Sequence, residues 1–346
     1  MSDHLPRPPF DPSLEPMLAA LAEQLPPGIT EAMIPIMREG SPADVTDETI
    51  AAHGLVRRDL TIDGFKGAPI VVSTIARADH TGTGAGILHT HAGGMVAGNR
   101  MTGLSAMLPW IVTHDAVMVT VEYRLAPEFP DPYPVEDCYA ALVWMAKDAA
   151  DLGIDANRIL IVGASAGAGI AAGTALLARD RNGPRLNGQL LIGPMLDDRD
   201  QTMSTQQYVG IGPWDRVSNR MGWTALLGER RGTDTVSIYA APARAVDLAG
   251  LPPAFIDCGS AEVFRDEDIA YASALWAAGV QAELHVWAGG SHGFDFVAPE
   301  AAVSKAAVAA RDAWVARHLR GEQLPPGADT AHTLVVERLV SASAAD

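Results

Sequence analysis

The segment Ile159-Leu160-Ile161-Val162-Gly163-Ala164-Ser165-Ala166-Gly167-Ala168-Gly169 decides the fold class of this chain. Its first four apolar residues predict a buried strand, Gly-x-Ser-x-Gly predicts a sharp turn, and the Ala- and Gly-rich continuation predicts a helix. Such a turn lifts the Ser165 hydroxyl clear of the sheet, and its crowded backbone tolerates only small neighbouring side chains. We therefore interpret Ser165 as a nucleophile, with the amide of Ala166 at the helix N-terminus facing developing negative charge.

Two other interpretations compete for the same segment. A five-residue match also fits a plain glycine-rich turn, and Gly167-x-Gly169-x-x-Ala172 has the spacing of a dinucleotide-binding motif. In a dinucleotide site the glycines lie between strand and helix, whereas these fall inside the predicted helix. The acidic residue that such a site needs about 20 positions later at a strand end is missing, because Asp180 lies in a polar loop. We predict no dinucleotide and no other cofactor.

Short apolar segments alternate with helical patterns along most of the chain. The strand candidates are residues 87–90, 117–121, 159–162, 190–192, 254–258 and 284–287, and the helix candidates are residues 135–149, 166–179, 266–278 and 301–319. Strands that are apolar throughout and alternate with helices indicate an α/β fold whose parallel sheet is covered on both faces. Residues 60–62 and 69–72, separated by a segment that starts with Asp63-Gly64, predict an antiparallel pair that precedes this alternation.

The chain length of 346 residues predicts more than one structural unit. Single cores usually stop growing at roughly 250–300 residues, so a core with a smaller cap is expected. Residues 1–50 are Pro-rich and helical in places, and residues 197–248 contain no convincing strand; we assign both segments to the cap. Residues 51–196 and 249–320 form the predicted core, and residues 321–346 form a C-terminal tail.

Composition excludes several classes of protein. The net charge of −17 argues against nucleic-acid binding, which needs clustered Lys and Arg. Two cysteines, Cys138 and Cys258, do not make a disulfide framework, and the second lies in an apolar run that predicts a buried thiol. The start MSDHLPRPPF lacks the apolar run of a signal peptide, and no stretch of about 18 apolar residues is present. We expect a cytoplasmic protein that does not bind membranes.

A glycine-containing loop follows the predicted strand at residues 87–90, in the order His89-Thr90-His91-Ala92-Gly93-Gly94. Acyl transfer requires backbone N–H groups beside the attacked carbonyl, and glycines let the main chain approach closely. We predict that Gly93, Gly94 and Ala166 donate these N–H groups, and that His91 holds the loop by hydrogen bonding. His89 and His91 could instead ligate a metal, but no second ligand cluster accompanies them, so a structural role is favoured and no metal is predicted.

A base and an acid follow two later strands. His292 lies in Gly290-Ser291-His292-Gly293-Phe294 beyond the strand at residues 284–287, where it can reach back over the carboxyl edge of the sheet. Glu262 is the first acidic residue after the strand at residues 254–258, where an orienting carboxylate is expected. Asp266 is the alternative acid, although it also fits the first turn of a helix. The chain order Ser, acid, His is that of a serine hydrolase on a parallel sheet.

These segments together resemble the bacterial hormone-sensitive-lipase-like (family IV) carboxylesterases of the α/β-hydrolase superfamily. They are His91-Ala92-Gly93-Gly94, Tyr123-Arg124-Leu125-Ala126-Pro127-Glu128, Gly163-Ala164-Ser165-Ala166-Gly167, Glu262-Val263-Phe264-Arg265-Asp266-Glu267 and His292-Gly293-Phe294. The resemblance extends from about residue 12 to residue 319. It implies an eight-stranded, mostly parallel sheet with a helical cap, and hydrolysis of short-chain carboxylic esters without a cofactor. It supports Ser165, Glu262 and His292 as a catalytic triad, with the three predicted donors as the oxyanion hole, and by analogy a homodimer.

The chain departs from the family pattern at three positions. His91-Ala92-Gly93-Gly94 replaces the usual His-Gly-Gly-Gly, but both predicted donor glycines remain. Ala164 and Glu262 stand where family members commonly carry Asp. The glutamate resembles a branch that includes lactone hydrolases, so a lactone is the alternative substrate.

Substrate selection is expected to depend on the cap. Met203, Tyr208 and Trp214 are candidate substrate-binding residues there, although each of them also fits a packing role. A small-molecule receptor that has lost its catalytic histidine is an alternative of another class on this fold, and the presence of His292 argues against it. The expected partner is a small-molecule ester or lactone.

Overall fold

Eight strands form one mixed sheet in the computed structural model, which describes residues 5–24, 28–40 and 45–321. The strands are β1 Leu55–Asp63, β2 Pro69–Arg77, β3 Gly84–Thr90, β4 Val117–Glu122, β5 Ile154–Ala164, β6 Gly188–Ile192, β7 Ala254–Gly259 and β8 Ala282–Trp287. Their order across the sheet is β1-β2-β4-β3-β5-β6-β7-β8. β2 pairs antiparallel with both β1 and β4, and the remaining neighbours are parallel. The predicted α/β fold with an eight-stranded, mostly parallel sheet is confirmed.

Helices connect the strands and lie on both faces of the sheet. In the described residues they are α1 Glu15–Gln24, α2 Ile34–Glu39, α3 Asp47–Ala52, α4 Leu108–His114, α5 Tyr133–Lys147, α6 Ala166–Asp180, α7 Met203–Gln207, α8 Arg216–Leu227, α9 Arg265–Ala277, α10 Phe294–Val297 and α11 Ala302–Leu319. The four predicted core helices correspond to α5, α6, α9 and α11. Sequence analysis does not predict α4, because its seven residues are too few to establish an apolar period. Within the described ranges no helix combines the length and apolar composition needed to cross a bilayer.

Two apolar layers cover the two faces of the sheet. Leu88 and Ile161 belong to the layer that contains residues of α5 and α6. Ile87 and Leu160, their neighbours in sequence, belong to the opposite layer with residues of α4 and α11. Successive side chains of a strand point to opposite faces, so burial of both faces requires the continuous apolar runs seen in the sequence.

The carboxyl edge of the parallel strands gathers the predicted functional residues. His91 follows β3 directly, and Ser165 follows β5 directly. Glu262 lies three residues beyond β7, and His292 lies five residues beyond β8. Parallel strands end at the same edge of a sheet, so the topology brings four distant parts of the chain to one place.

The N-terminal segment lies against the insertion after β6. The backbone N–H of Ile29 donates to Oγ of Ser218 in α8 at 2.9 Å, and the hydroxyl of Tyr208 donates to the carbonyl oxygen of Pro8 at 3.0 Å. Of the described residues, those from 197 to 248 include α7 and α8 but no strand. These contacts join the two segments that the sequence assigns to a cap. The predicted C-terminal tail, apart from Gly321, lies outside the described residues.

Candidate active site

Ser165 occupies a strained turn between β5 and α6. Its backbone has φ 55° and ψ −123°, a combination that is unfavourable for a residue with a side chain. Its amide donates to the carbonyl oxygen of Ile192 at 2.8 Å, which fixes the turn against the end of β6. A Cβ on Gly163 would lie 2.4 Å from the backbone of Gly167, and a Cβ on Gly167 would lie 2.1 Å from the carbonyl oxygen of Thr90. The close approach of these backbones explains why both flanking positions are glycine.

A chain of hydrogen bonds joins Ser165, His292 and Glu262. Nε2 of His292 lies 2.9 Å from Oγ of Ser165. Nδ1 of the same ring lies 2.6 Å from Oε2 of Glu262. These partners fit a neutral imidazole whose Nδ1–H donates to the carboxylate while Nε2 accepts from the serine hydroxyl. The arrangement allows the hydroxyl to lose its proton to the ring.

Both carboxylate oxygens of Glu262 have partners. Oε1 accepts a hydrogen bond of 2.6 Å from the backbone N–H of Gly259 at the end of β7, and Oε2 faces His292. Glu262 is only 3% exposed. The Gly259 amide therefore holds the longer glutamate side chain with its second oxygen directed at the imidazole.

Asp266 has a different role from Glu262. Its Oδ2 accepts from the backbone N–H of Ser204 in α7 at 2.7 Å, and its Oδ1 accepts from Nε of Arg265 at 2.7 Å. Burial acts to raise the pKa of Asp266, but these hydrogen bonds to Arg265 and Ser204 lower it overall. The carboxylate joins α9 to α7, whereas Glu262 is the carboxylate that contacts His292.

The loop after β3 carries Gly93 and Gly94 in backbone conformations that favour glycine, with φ 126° and φ 63°. A Cβ on Gly93 would lie 2.1 Å from the carbonyl oxygen of Ala97, and a Cβ on Gly94 would lie 2.5 Å from the ring of Trp214. Both glycines line the same cavity as Ser165 and His292. Ala166 is the first residue of α6, directly after Ser165.

His91 is buried and stacks on Tyr123, with ring centroids 4.0 Å apart and planes at 11°. Its Nδ1 lies 2.8 Å from the carbonyl oxygen of Ala92. Burial lowers the pKa of His91 to about 4, so the ring is neutral at pH 7. These contacts fit the predicted role of His91 in holding the loop.

His89 is also fully buried, and its Nδ1 lies 2.9 Å from Oγ1 of Thr120 on the neighbouring strand β4. Burial lowers the pKa of His89 to about 3. Across the part of the chain that the structure describes, no group of three or more His, Cys, Asp or Glu side chains is arranged to hold a metal ion.

The segment Tyr123-Arg124-Leu125-Ala126-Pro127-Glu128 contributes to hydrogen bonds that hold the loop after β3 in place. The hydroxyl of Tyr123 donates to the carbonyl oxygen of His91 at 2.7 Å. Arg38 of α2 donates to the carbonyl oxygens of Val96 and Ala126, at 2.8 Å and 2.9 Å, and pairs with Glu128 at 2.8 Å. In the sequence this segment is recognised only through the family resemblance, because the residues that form hydrogen bonds and ion pairs with it lie far away in the chain.

A cavity of about 920 Å³ surrounds the Ser165 hydroxyl. Of the three predicted substrate-binding residues, Trp214 lines this cavity, whereas Met203 and Tyr208 are not among its lining residues. Met203 begins α7 with 53% of its surface exposed, and Tyr208 is 1% exposed and packs against Phe10. The lining also includes residues that sequence analysis does not single out, from α2, the segment before α4, α10 and α11. They belong to none of the motifs found in the sequence, so no pattern identifies them before the fold is known.

Comparisons with known proteins agree with this architecture. Residues 87–296 match the family model described as the alpha/beta hydrolase fold. Carboxylesterase NlhH of Mycobacterium tuberculosis is 38% identical over 200 residues, which cover 57% of this chain and 62% of that protein. Arylesterase of Saccharolobus solfataricus is 31% identical over 196 residues, which cover 56% of this chain and 63% of that protein. The chain thus spans less than two thirds of the length of these curated relatives.

Solved structures match over more of the chain. The structure titled Bacterial Heroin Esterase superposes with a TM-score of 0.81 at 37% identity, and the match covers 89% of this chain and 99% of that one. Esterase LipW from Mycobacterium marinum superposes with a TM-score of 0.80 at 32% identity, and the match covers 90% of this chain and 98% of that one. Both matches thus extend over most of this chain.

Proposed function

The chain belongs to the α/β-hydrolase fold family, and on that premise we propose that it is a carboxylesterase acting through Ser165, His292 and Glu262. The observation that carries the proposal is the unbroken hydrogen-bonded path from the Ser165 hydroxyl through the imidazole to the carboxylate, with separations of 2.9 Å and 2.6 Å. The esterases named among its relatives and structural neighbours also support it.

The first half of the reaction forms an acyl-enzyme. Nε2 of His292 takes the proton of the Ser165 hydroxyl as Oγ bonds to the ester carbonyl carbon, and Glu262 stabilises the resulting imidazolium. The carbonyl oxygen becomes an oxyanion that accepts hydrogen bonds from the amides of Gly93, Gly94 and Ala166, each worth about 2–4 kcal/mol in the transition state. The carbon–oxygen bond to the alcohol then breaks, and the leaving oxygen takes the proton from Nε2.

The second half releases the acid and restores the enzyme. Water enters the position that the alcohol has left and gives one proton to Nε2 of His292 as its oxygen attacks the acyl carbon. The same amides hold the second oxyanion. Collapse of this intermediate breaks the bond to Oγ of Ser165, which recovers its proton from the ring. The sequence of steps requires no metal or organic cofactor.

The remaining assignments form part of the same proposal. We assign residues 1–50 and 197–248 to a cap beside the loop after β3, and Ile29, Met37, Pro213 and Trp214 from these segments line the cavity. The substrate is a small-molecule ester with a short acyl chain, not a nucleic acid or a membrane lipid. We place the enzyme in the cytoplasm and infer a homodimer by analogy with the family.

Covalent labelling tests the proposal. An organophosphate such as diethyl p-nitrophenyl phosphate should phosphorylate one serine and release one equivalent of p-nitrophenolate, because the activated hydroxyl attacks phosphorus as it would attack an ester. Peptide mass spectrometry should place the diethyl phosphoryl group on Ser165. A label on another serine, or no label while ester hydrolysis continues, would contradict the assignment.

A further inference from the structure

The cavity around Ser165 continues away from the cap, on the sheet face that α4 and α11 cover. It is lined there by one face of α11, where Lys305, Val308, Ala309 and Asp312 follow each other at helical spacing. The opposite wall includes Ala106, Met107 and Pro109, from the start of α4 and the residues before it. We call this part of the cavity, bounded by these two sets of residues, the α4–α11 groove.

Both walls of the groove include solvent-exposed residues. Ala106, Pro109 and Ala309 are small or apolar, and the exposed Lys305 and Asp312 lie beside them on α11. Nε1 of Trp110 donates a hydrogen bond of 2.6 Å to Oδ1 of Asp312, which joins α4 to α11. The groove therefore lies between two helices that a side-chain hydrogen bond joins.

Both cationic side chains beside the groove have partners of opposite charge, whereas the exposed Asp312 accepts its hydrogen bond from the neutral indole of Trp110. Lys305 pairs with Glu300 at 2.8 Å. Arg311, which is buried, pairs with Asp257 at 2.8 Å and also with Asp295. An incoming charged group would have to compete with these pairs and lose its own hydration, so the walls favour an uncharged, apolar occupant.

The position of His292 indicates which half of an ester occupies the groove. The leaving oxygen must come within hydrogen-bonding distance of Nε2, because that atom supplies its proton. Phe294 and Phe296, which follow His292 closely in the chain, line the cavity together with the residues of α11. The substituent on the leaving oxygen thus starts beside the segment that leads into the groove.

We propose that the α4–α11 groove is the subsite for a bulky, uncharged apolar alcohol group of the ester substrate. The inference rests on the proposed carboxylesterase function and specifies its substrate class. The cavity of about 920 Å³ is far larger than a small aliphatic ester needs, and it falls at the upper end of the range of sites for drug-sized ligands. Ala106 and Ala309 keep the groove open because neither carries more than a methyl group.

Two isomeric esters test the assignment of the subsite. In 1-naphthylmethyl acetate the bulky group is on the alcohol, and in methyl 1-naphthylacetate it is on the acid. We expect Ala309→Phe to lower the ratio of kcat/KM for the first ester to that for the second at least about tenfold, since the new ring fills the groove. Ala106→Phe, on the opposite wall, should lower the same ratio. Ala313→Phe is the matched control, because Ala313 is an exposed residue of α11 that does not line the cavity.

The possible outcomes distinguish failure of the subsite proposal from failure of the proposed esterase function. An unchanged ratio in both Ala309→Phe and Ala106→Phe, with wild-type-like thermal unfolding, would overturn the subsite. So would a loss confined to the ester with the bulky acid. If the wild-type protein hydrolyses p-nitrophenyl acetate but neither naphthyl ester, the subsite is wrong and the proposed function stands. If it hydrolyses no ester at all, both proposals fail.

Discussion

The hydroxyl of Tyr123 donates a hydrogen bond of 2.7 Å to the carbonyl oxygen of His91, and the two rings stack 4.0 Å apart. Tyr123 directly follows β4, and His91 directly follows β3, its parallel neighbour in the sheet. The contact joins the loop after β3 to the end of the neighbouring strand β4. This contact explains in physical terms why a tyrosine occupies position 123. In the sequence, the segment that begins with Tyr123 is recognised only through its resemblance to the family.

Removing this hydroxyl tests the support of the loop. We expect Tyr123→Phe to lower the free energy of unfolding by about 1–3 kcal/mol, because a buried carbonyl oxygen loses its donor. kcat should fall as well, since Gly93 and Gly94 follow His91 in the same loop. Urea unfolding and ester kinetics measure the two effects.

The control for that variant is Tyr271→Phe, because the Tyr271 hydroxyl is buried and has no hydrogen-bond partner among the residues that the structure describes. Its removal should leave both the free energy of unfolding and kcat close to the wild-type values. Equal losses of stability in the two variants would mean that the bond to His91 contributes nothing specific.

The two carboxylates after β7 should respond differently to neutralisation. Glu262→Gln should lower kcat by about 10²–10⁴-fold, because an amide cannot stabilise the imidazolium and favours the wrong tautomer of His292. Asp266→Asn should change kcat far less, since Asp266 contacts Ser204 and Arg265 and not His292. Steady-state kinetics on one ester rank the two variants, and the reverse ranking would move the acid to Asp266.

Much of this fold could be predicted from the sequence because both faces of the sheet are buried. That burial produces apolar runs such as Ile159-Leu160-Ile161-Val162, which stand out between helical patterns. Ser165, Glu262 and His292 were predictable for a related reason: each follows a recognisable strand, and parallel strands end at one edge. The sequence predicts that these residues lie at the same edge of the sheet, but it does not predict the distances between their side chains.

The walls of the cavity could not be predicted in the same way. Met203 and Tyr208 were predicted as substrate contacts from their place in the insertion, but Tyr208 packs under the N-terminal segment and Met203 faces solvent. Ala309 and Ala106 belong to no functional motif, and they line one cavity only because α4 and α11 cover the same face of the sheet. Such contacts depend on tertiary packing, which local patterns do not encode.

The loop after β3, whose amides we propose to bind the oxyanion, should not tolerate a side chain at Gly93. Gly93→Ala places a Cβ against the carbonyl oxygen of Ala97 and must shift the loop, so we expect kcat to fall by about 10²–10³-fold, as when a donor is lost. Gly54→Ala is the control, because Gly54 also has a positive φ, of 71°, but its Cβ would meet nothing within 4 Å. Full activity in Gly93→Ala would show that the loop does not supply donors.

The buried His91 ring predicts a pH dependence of stability. The pKa of His91 is about 4 in the folded protein, below the ordinary value of 6.5. Between these two pH values the unfolded chain therefore binds a proton at His91 and the folded protein does not. The contribution of the neutral His91 ring to the free energy of unfolding is present in full above pH 6.5 and is lost as the pH falls toward 4. We expect wild type to lose about 2 kcal/mol more than His91→Phe between pH 7.5 and pH 5, measured by urea unfolding. Equal losses in both proteins would contradict the buried, neutral assignment.

The central claim is that Ser165 is the nucleophile of an ester hydrolase, and the most direct test is kcat/KM for p-nitrophenyl butyrate in wild type and Ser165→Ala. We predict a loss of at least about 10⁴-fold in Ser165→Ala. Ser291→Ala should keep activity near that of wild type, because the buried hydroxyl of Ser291 has no hydrogen-bond partner within the described part of the chain. Hydrolysis retained in Ser165→Ala at a level comparable to wild type would contradict the account.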